Sequence, residues 1–395
     1  MSQQQISLNA DLLKLQEEGY DVAIKDQCLV VASVPYLDSD LNVQRGTLVS
    51  DLSLAGDLTV QPQNHVIWFT DYPYRADGKR FEDFVNESRT HVLGGETVHH
   101  SFSRKPKRGH YTDYYEKVVT YATYLGGQAG LVEPGVTAMV FPPIVPDGEN
   151  DSVFNYLDTN SARGQFQHIS DKFKGQRIAI IGLGGTGSYI LDQVAKCPVQ
   201  EISLFDGQRF HTHNAFRAPG APTLEELREY KYKVEYFAEL YSKMHRGIKA
   251  TNTYITPDNL STLDGFDFVF VSIDRGGDKL PILKHLAERG IAFADCGMGV
   301  QFQNEGLAGL LRVTSGVSGK TDHVFENGRI SFQNRAEDDY DTNIQIADLN
   351  AFNALLAVIK WKKLVGFYDD LEQEHHMLYA IDGNFITNTI TQTES

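Results

Sequence analysis

The chain has 395 residues, 41% hydrophobic and 22% charged, with a formal net charge of −16. That length supports two domains with a sizeable core, and the acidity excludes general affinity for nucleic acid, because nothing offsets phosphate repulsion globally. Three cysteines, Cys28, Cys197 and Cys296, form no CxxC pair and cannot build a four-thiolate zinc site, and so sparse a count fits a reducing cytosol. No apolar run reaches the roughly 18–20 residues of a membrane span. The opening MSQQQISLNADLLKLQEEG lacks the basic and apolar regions of a signal peptide, so a cytoplasmic chain with no membrane partner is expected.

Residues 1–145 read as a smaller α+β unit. Gln27–Leu37 and His65–Tyr74 are β-branched and aromatic, as strands are, and each meets a proline. A basic cluster, Arg104, Lys105, Lys107 and Arg108, reads as solvated surface before a helix over Tyr111–Tyr124. His99, His100, Ser101 and His110, like His375 and His376 far downstream, show no HExxH spacing and predict no metal site. Phe141–Ser152, FPPIVPDGENDS, concentrates proline, glycine and acid, which places a linker at 146–159 and a second unit at 160–395.

That second unit alternates. Strands are expected at Arg177–Ile181, Glu201–Phe205, Thr251–Ile255, Phe266–Ile273, Ile291–Asp295 and Gly309–Val313. Helices are expected at Leu224–Lys243, opened by a capping box of Thr223 and Glu226, and at Leu280–Arg289. Leu349, Phe352, Leu356 and Ile359 recur at helical spacing, for a helix of about four turns. Such alternation predicts an α/β fold, a Rossmann-like, mostly parallel sheet with helices on both faces.

Its first strand empties into a loop with four glycines, Gly182, Gly184, Gly185 and Gly187, followed by an amphipathic helix. Glycine lets the backbone approach a polyphosphate, and the helix start supplies free N–H donors and a positive dipole end. Asp206 closes the second strand 24 residues beyond Gly182, where an acid accepts hydrogen bonds from ribose hydroxyls. These features alone also fit an NAD(P)- or flavin-dependent oxidoreductase, or a non-catalytic nucleotide-binding scaffold.

From Asn160 to Thr391 the chain resembles the ThiF/MoeB/HesA family, the catalytic core of ubiquitin-activating enzymes and of their bacterial sulfur-carrier relatives. GLGGTGS, with Thr186 inside it, resembles the family's GxGGxGS loop. Asp206 matches the first acid of a D-x-D segment whose second acid is replaced here by Gln208. Asn214 and Arg217 reproduce the asparagine and arginine of N-L-x-R. Lys233, in KVE, stands at the family's essential lysine, and Asp274, in SID, at its magnesium-holding aspartate.

The resemblance implies an adenylyltransferase using ATP and Mg2+ on the C-terminal carboxylate of a ubiquitin-like protein. Arg217 and Lys233 would clamp the β- and γ-phosphates, Asn214 would join the glycine loop and Asp206 in binding the nucleotide, and Asp274 would hold the metal. Family members are homodimers whose sites accept an arginine from the other subunit, and Arg163 in NSARGQF is the best-placed candidate. The C-terminal stretch also resembles ThiF proteins of bacterial ubiquitin-like conjugation operons, which implies a conjugating-enzyme-like partner and a JAB-type peptidase. The N-terminal unit then either recruits a partner or is itself a degenerate conjugating fold. Relatives with a catalytic cysteine place it in the loop corresponding to Ser315–Asn343, which has none; Cys296, closing the apolar strand AFADC, reads as packing rather than as a nucleophile.

Overall fold

β-Branched and aromatic segments in the first part of the chain close into a six-stranded antiparallel sheet. The computed structural model describes residues 2–148, 152–326, 328–332 and 344–390. Parts of the expected linker 146–159 and of the loop Ser315–Asn343 therefore lie outside the described residues. Two compact units emerge, Met1–Ser152 with Tyr156–Thr159, and Val153–Asn155 with Asn160–Ser395.

In the first unit, α1 (Ser2–Leu8) and α2 (Ala10–Glu17) precede β1 (Asp21–Lys25), β2 (Cys28–Leu37) and β3 (Val43–Asp51). A small hairpin, β4 (Leu54–Ala55) and β5 (Leu58–Thr59), stands apart from β6 (Val66–Phe69), β7 (Val85–Leu93) and β8 (Glu96–Ser103). The sheet order is β1-β2-β3-β6-β8-β7. Helix α3 (Tyr114–Val132) starts where Asp113 accepts the Glu116 N–H, and it buries Tyr114, Val118, Tyr121, Leu125 and Ala129 at helical spacing. The strand expected over His65–Tyr74 shrinks to β6, and the helix expected over Tyr111–Tyr124 runs on to Val132.

The second unit contains α4 (Thr159–Arg163), α5 (Gln167–Ser170), β9 (Arg177–Ile181), α6 (Gly185–Val194), β10 (Glu201–Phe205) and α7 (Thr212–Ala215). After α8 (Leu224–Arg228) and α9 (Lys233–Tyr241) come β11 (Ile248–Thr251), β12 (Phe268–Val271), α10 (Gly276–Arg289), β13 (Ala292–Gln303) and β14 (Gly306–Gly316). α11 (Asp322–Phe325), α12 (Ala347–Leu364), β15 (Glu374–Ala380) and β16 (Phe385–Ile390) complete it. The sheet runs β11-β10-β9-β12-β13-β14-β15-β16, parallel from β11 to β13 and antiparallel thereafter. Helices cover both faces: α6, α9 and α12 pack over one apolar cluster with Ile178, Ile180 and Phe270, and α10 over a second with Ala179, Ile181 and Val271.

Three sequence expectations need correction. The helix expected over Leu224–Lys243 is broken: the Thr223–Glu226 capping box forms, but Tyr230 takes a left-handed φ of 51° and Tyr232 bridges Arg209, so a new helix begins at Lys233. β11 lies at Ile248–Thr251 rather than Thr251–Ile255, in register with Ile202–Phe205. In α12 the buried face carries Asn350, Asn353, Ala354, Ala357 and Trp361, whereas Ile359 is exposed.

His245 shows how tightly this unit constrains polar groups. It is fully buried, its Nδ1 accepts the Gly247 N–H at 3.0 Å, and its Nε2 therefore donates to the Val199 carbonyl at 3.1 Å. Burial lowers its pKa to about 4, so the folded state holds it neutral while the unfolded chain protonates it near its ordinary value. Stability from this site is complete above the unfolded value and declines as pH falls towards 4. At pH 5 the loss is on the order of 2 kcal/mol for this one imidazole. Urea midpoints measured at pH 7.5 and 5.0 should fall more steeply for the wild type than for His245→Gln.

Candidate functional site

β9 ends beneath a turn that only glycine permits. Gly182 has φ +87°, its N–H donates to the Phe205 carbonyl, and its carbonyl accepts the Ser272 hydroxyl at 2.8 Å. A Cβ on Gly187 would overlap the Gly182 carbonyl oxygen, and one on Gly185 would overlap the Asn350 amide. Gly184, at the N-cap of α6, differs: its ideal Cβ meets nothing within 4 Å and its φ is −70°. Two glycines thus let backbone meet backbone or helix α12, and a third leaves room in front of the α6 N-terminus.

That room is part of a cavity of about 720 Å3 at the C-terminal ends of the parallel strands. Gly182, Gly184, Gly185, Thr186, Asp206, Arg217, Lys233 and Asp274 all line it. Three other residues singled out in the sequence do not. Gly187 lies behind the turn, Asn214 is the buried residue of α7, and Arg163 sits exposed at the end of α4.

Asp206 is buried, and each of its oxygens accepts one backbone N–H at 2.7 Å, from Leu183 and from Gln208. The carboxylate pins the glycine turn to the turn after β10 and still has lone pairs for a ligand hydroxyl. Lys233, at the first position of α9, is buried too; its Nζ donates to Gln208 Oε1 at 2.6 Å and, among the described residues, has no carboxylate in ion-pair contact. Burial depresses its pKa; Asp206 and Asp274 counteract this in part and Arg217 adds to it. Asn214 accepts the His211 N–H at 2.8 Å and holds α7, yet its Nδ2 and the Arg217 Nε are buried without a hydrogen-bond partner among the described residues. Buried donors left unmade are costly, so these two point to a missing acceptor.

Asp274 follows β12 in an exposed position and accepts Gln345 Nε2 at 3.1 Å, with Asp278 of α10 also on the wall. Among the described residues no three His, Cys, Asp or Glu side chains converge on a metal position. One or two carboxylates do suffice for Mg2+ when phosphate oxygens complete its shell. Cys296 contributes to the wall, but burial pushes its thiol up to about 12, with Asp295 adding to the effect.

Sequence reasoning missed several members of this wall. Gln208 was visible only as a departure from an acid, whereas it is the hydrogen-bond partner of Lys233. His213, Tyr254, Thr256, Gln345 and Asn353 also line the cavity. Asn350 and Asn353, three apart on an apolar helix, were a readable signal of a polar task; Thr186 Oγ1 bonds the first at 3.0 Å, and the second donates to the Gly297 carbonyl at 3.1 Å.

Chemically, the arrangement is a concave site lined by three cationic side chains, Arg217, Lys233 and Arg275, with a helix N-terminus and carboxylates at its margins. It suits a polyanion carrying hydroxyls.

Residues 161–314 match the ThiF family, and residues 10–159 match a family described only as a domain of unknown function, DUF6791. Ubiquitin-like modifier-activating enzyme 5 of Aedes aegypti is 28% identical over 108 residues, 27% of this chain and 25% of that protein. The Drosophila ananassae enzyme of the same name is 27% identical over 117 residues, 29% of this chain and 26% of that protein. The chain thus spans about a quarter of the length of the curated relatives it matches. Among solved structures, E. coli MccB aligns with a TM-score of 0.47 at 16% identity, over 78% of this chain and 92% of that one. Among the described residues no helix is long and apolar enough to cross a membrane.

The glycine geometry makes a sharp contrast testable. Gly187→Ala should destabilise the second unit by about 2 kcal/mol or more, because backbone must move, whereas Gly184→Ala should cost less than about 1 kcal/mol. Denaturant midpoints of the two variants, measured side by side, check this.

Proposed function

We propose that the second unit adenylates the C-terminal carboxylate of a ubiquitin-like protein, using ATP and releasing pyrophosphate. The observation that carries this reading is the convergence of the glycine turn, Arg217, Lys233 and Asp274 on one cavity, where the buried Arg217 Nε has no hydrogen-bond partner among the described residues. The ThiF family domain and the names of the partial relatives, which are activating enzymes for ubiquitin-like modifiers, support it.

A carboxylate oxygen attacks the α-phosphorus, the bond from that phosphorus to the bridging oxygen breaks, and pyrophosphate leaves with the electron pair. The nucleophile is already an anion, so no general base is required. The barrier is repulsion between anions plus charge accumulating on phosphate oxygens, which positioned cations relieve. Arg217 and Lys233 contact the β- and γ-phosphates, Asp206 accepts from the ribose hydroxyls, and the Gly182–Gly187 turn with Thr186 lets the phosphates approach the α6 N-terminus. Asp274 would hold Mg2+, whose chemistry is to neutralise charge across the phosphate oxygens. Arg163 reaches a neighbouring site in a homodimer. All three cysteines are buried, so the acyl group passes from the adenylate to a nucleophile on another molecule, such as a conjugating-enzyme-like partner of a bacterial pathway. The N-terminal unit recruits substrate or partner.

The test is ATP–pyrophosphate exchange that depends on an added ubiquitin-like protein encoded beside this chain's gene. Carrier-dependent exchange is expected, with an AMP adduct on the carrier's C-terminus by intact mass; NADH turnover without exchange would overturn the reading. Lys233→Ala should lower exchange at least about 100-fold, the effect of removing one positioned electrostatic contact, about 2.7 kcal/mol. An unchanged rate in the folded variant would falsify the role given to Lys233.

A further inference from the structure

We propose that His213 contacts the phosphate chain of the bound nucleotide and takes up a proton from solvent as the triphosphate enters. The proposal rests on the reading of the cavity as a triphosphate site and adds a residue and a pH dependence to it.

His213, on α7, and Arg217, two residues past the end of that helix, both line the cavity wall, close enough for the guanidinium to act on the imidazole. Its backbone is fixed by the bond from His211 N–H to Asn214 Oδ1, and its ring stacks on His211 at a centroid distance of 5.7 Å. Neither ring nitrogen of His213 bonds a described residue. The contrast with the core histidines is clear: His245, His323, His375 and His376 each give a ring nitrogen to a fixed polar partner. An imidazole with both nitrogens uncommitted, facing a cavity beside two cations, is an available donor for an anion.

The electrostatics fit. Burial first, then Arg217, His211 and Lys233, hold the imidazole below its ordinary value, so near neutral pH it is uncharged. Asp206, Asp274 and Asp278 share the cavity, and the net effect on the ring is still downward. With Arg217, Lys233 and Arg275 already on the wall, a further positive charge is unfavourable there until an anion enters. A triphosphate reverses the sign of the local field, favours the imidazolium, and gains a charge-assisted hydrogen bond. By linkage, nucleotide affinity rises as pH falls through the bound-state pKa and levels off below the free-state one.

The full-length chain, labelled with 13C at histidine Cε1, is titrated by NMR with and without a non-hydrolysable ATP analogue and Mg2+. The His213 resonance is the one missing from His213→Gln. Its midpoint should lie below the ordinary histidine value in the free protein and move to higher pH with the analogue bound. His213→Gln should weaken analogue binding about tenfold at pH 6 and less than about threefold at pH 8.5, as expected for one charge-assisted hydrogen bond. The difference between the two proteins cancels the analogue's own titration. If the wild type binds the analogue while the midpoint stays put and the variant binds equally at both pH values, the inference is overturned. If the wild type binds no analogue, the triphosphate reading falls and the role of His213 with it.

Discussion

Everything at the cavity depends on how closely the backbone after β9 folds back on itself. Gly187 sits against the Gly182 carbonyl, and Ser272, at the end of β12, donates its hydroxyl to that same carbonyl and to the Ile181 carbonyl. The contact lets α6 begin directly over the C-terminal edge of β9, so its free N–H groups face the cavity rather than the core. Asp206 ties the turn to the next strand, and Asn350 seats α12 on the helix start through Thr186. A methyl group at Gly187 would separate these parts, and the cavity wall would lose its common origin.

Given that origin, the distribution of charge follows from what surrounds each cation. Lys233 is brought in by the helix that restarts at its own position, and its N–H donates to the Gln208 carbonyl while its ammonium donates to the Gln208 amide oxygen. An acid at 208 would form an ion pair with it; a neutral amide satisfies one of three donors and leaves the charge only partly offset, by Asp206 and Asp274. Arg217, close by, depresses the lysine further. A buried cation without a carboxylate contact is unfavourable in the empty site, and that unfavourable term disappears when an anion binds. Preorganised charge of this kind requires no reorganisation when negative charge builds on a ligand.

What was legible in the sequence divides along the same physical line. β9, the glycine turn, α6 and the end of β10 are local: consecutive residues determine strand, turn and helix start, and the expected bounds of β9 and β10 match the observed ones. The position of Lys233 was legible, but the break before it was not, because the break comes from Tyr232 bridging Arg209 across the fold. β11 was displaced for a similar reason: Gly247 packs against the Gln200 carbonyl and sets the pairing with β10. The antiparallel half of the sheet was hidden, since Gly297 and Gly299 look like strand ends although β13 runs through them to Gln303. Close approach across the β13–β14 pair leaves no room for a side chain at Gly297 or at Gly309. Arg312 lies over Gly297, and the Gly299 carbonyl blocks a Cβ on Gly309.

The same crowding explains why a cysteine on the cavity wall is chemically quiet. Lys279 donates to the Cys296 carbonyl at 3.1 Å and sits 2.9 Å from Asp295 Oδ1, an ion-pair distance without hydrogen-bond alignment, while Arg312 pairs with Asp295 Oδ2. Strand alternation sends neighbouring side chains to opposite faces. Asp295 therefore takes the charged face with Lys279 and Arg312, and Cys296 turns into the apolar cluster with Val313, Met377, Ala354 and Trp361. Breaking the ion group by removing Asp295 would strand the buried Lys279 and leave the half-buried Arg312 without its partner, so the register of β13 is strongly held. With the register held, the thiol cannot rotate towards the cavity without moving the strand, and in its apolar surroundings the thiolate is disfavoured. The wall takes its shape from this residue's backbone, and its sulfur belongs to the core.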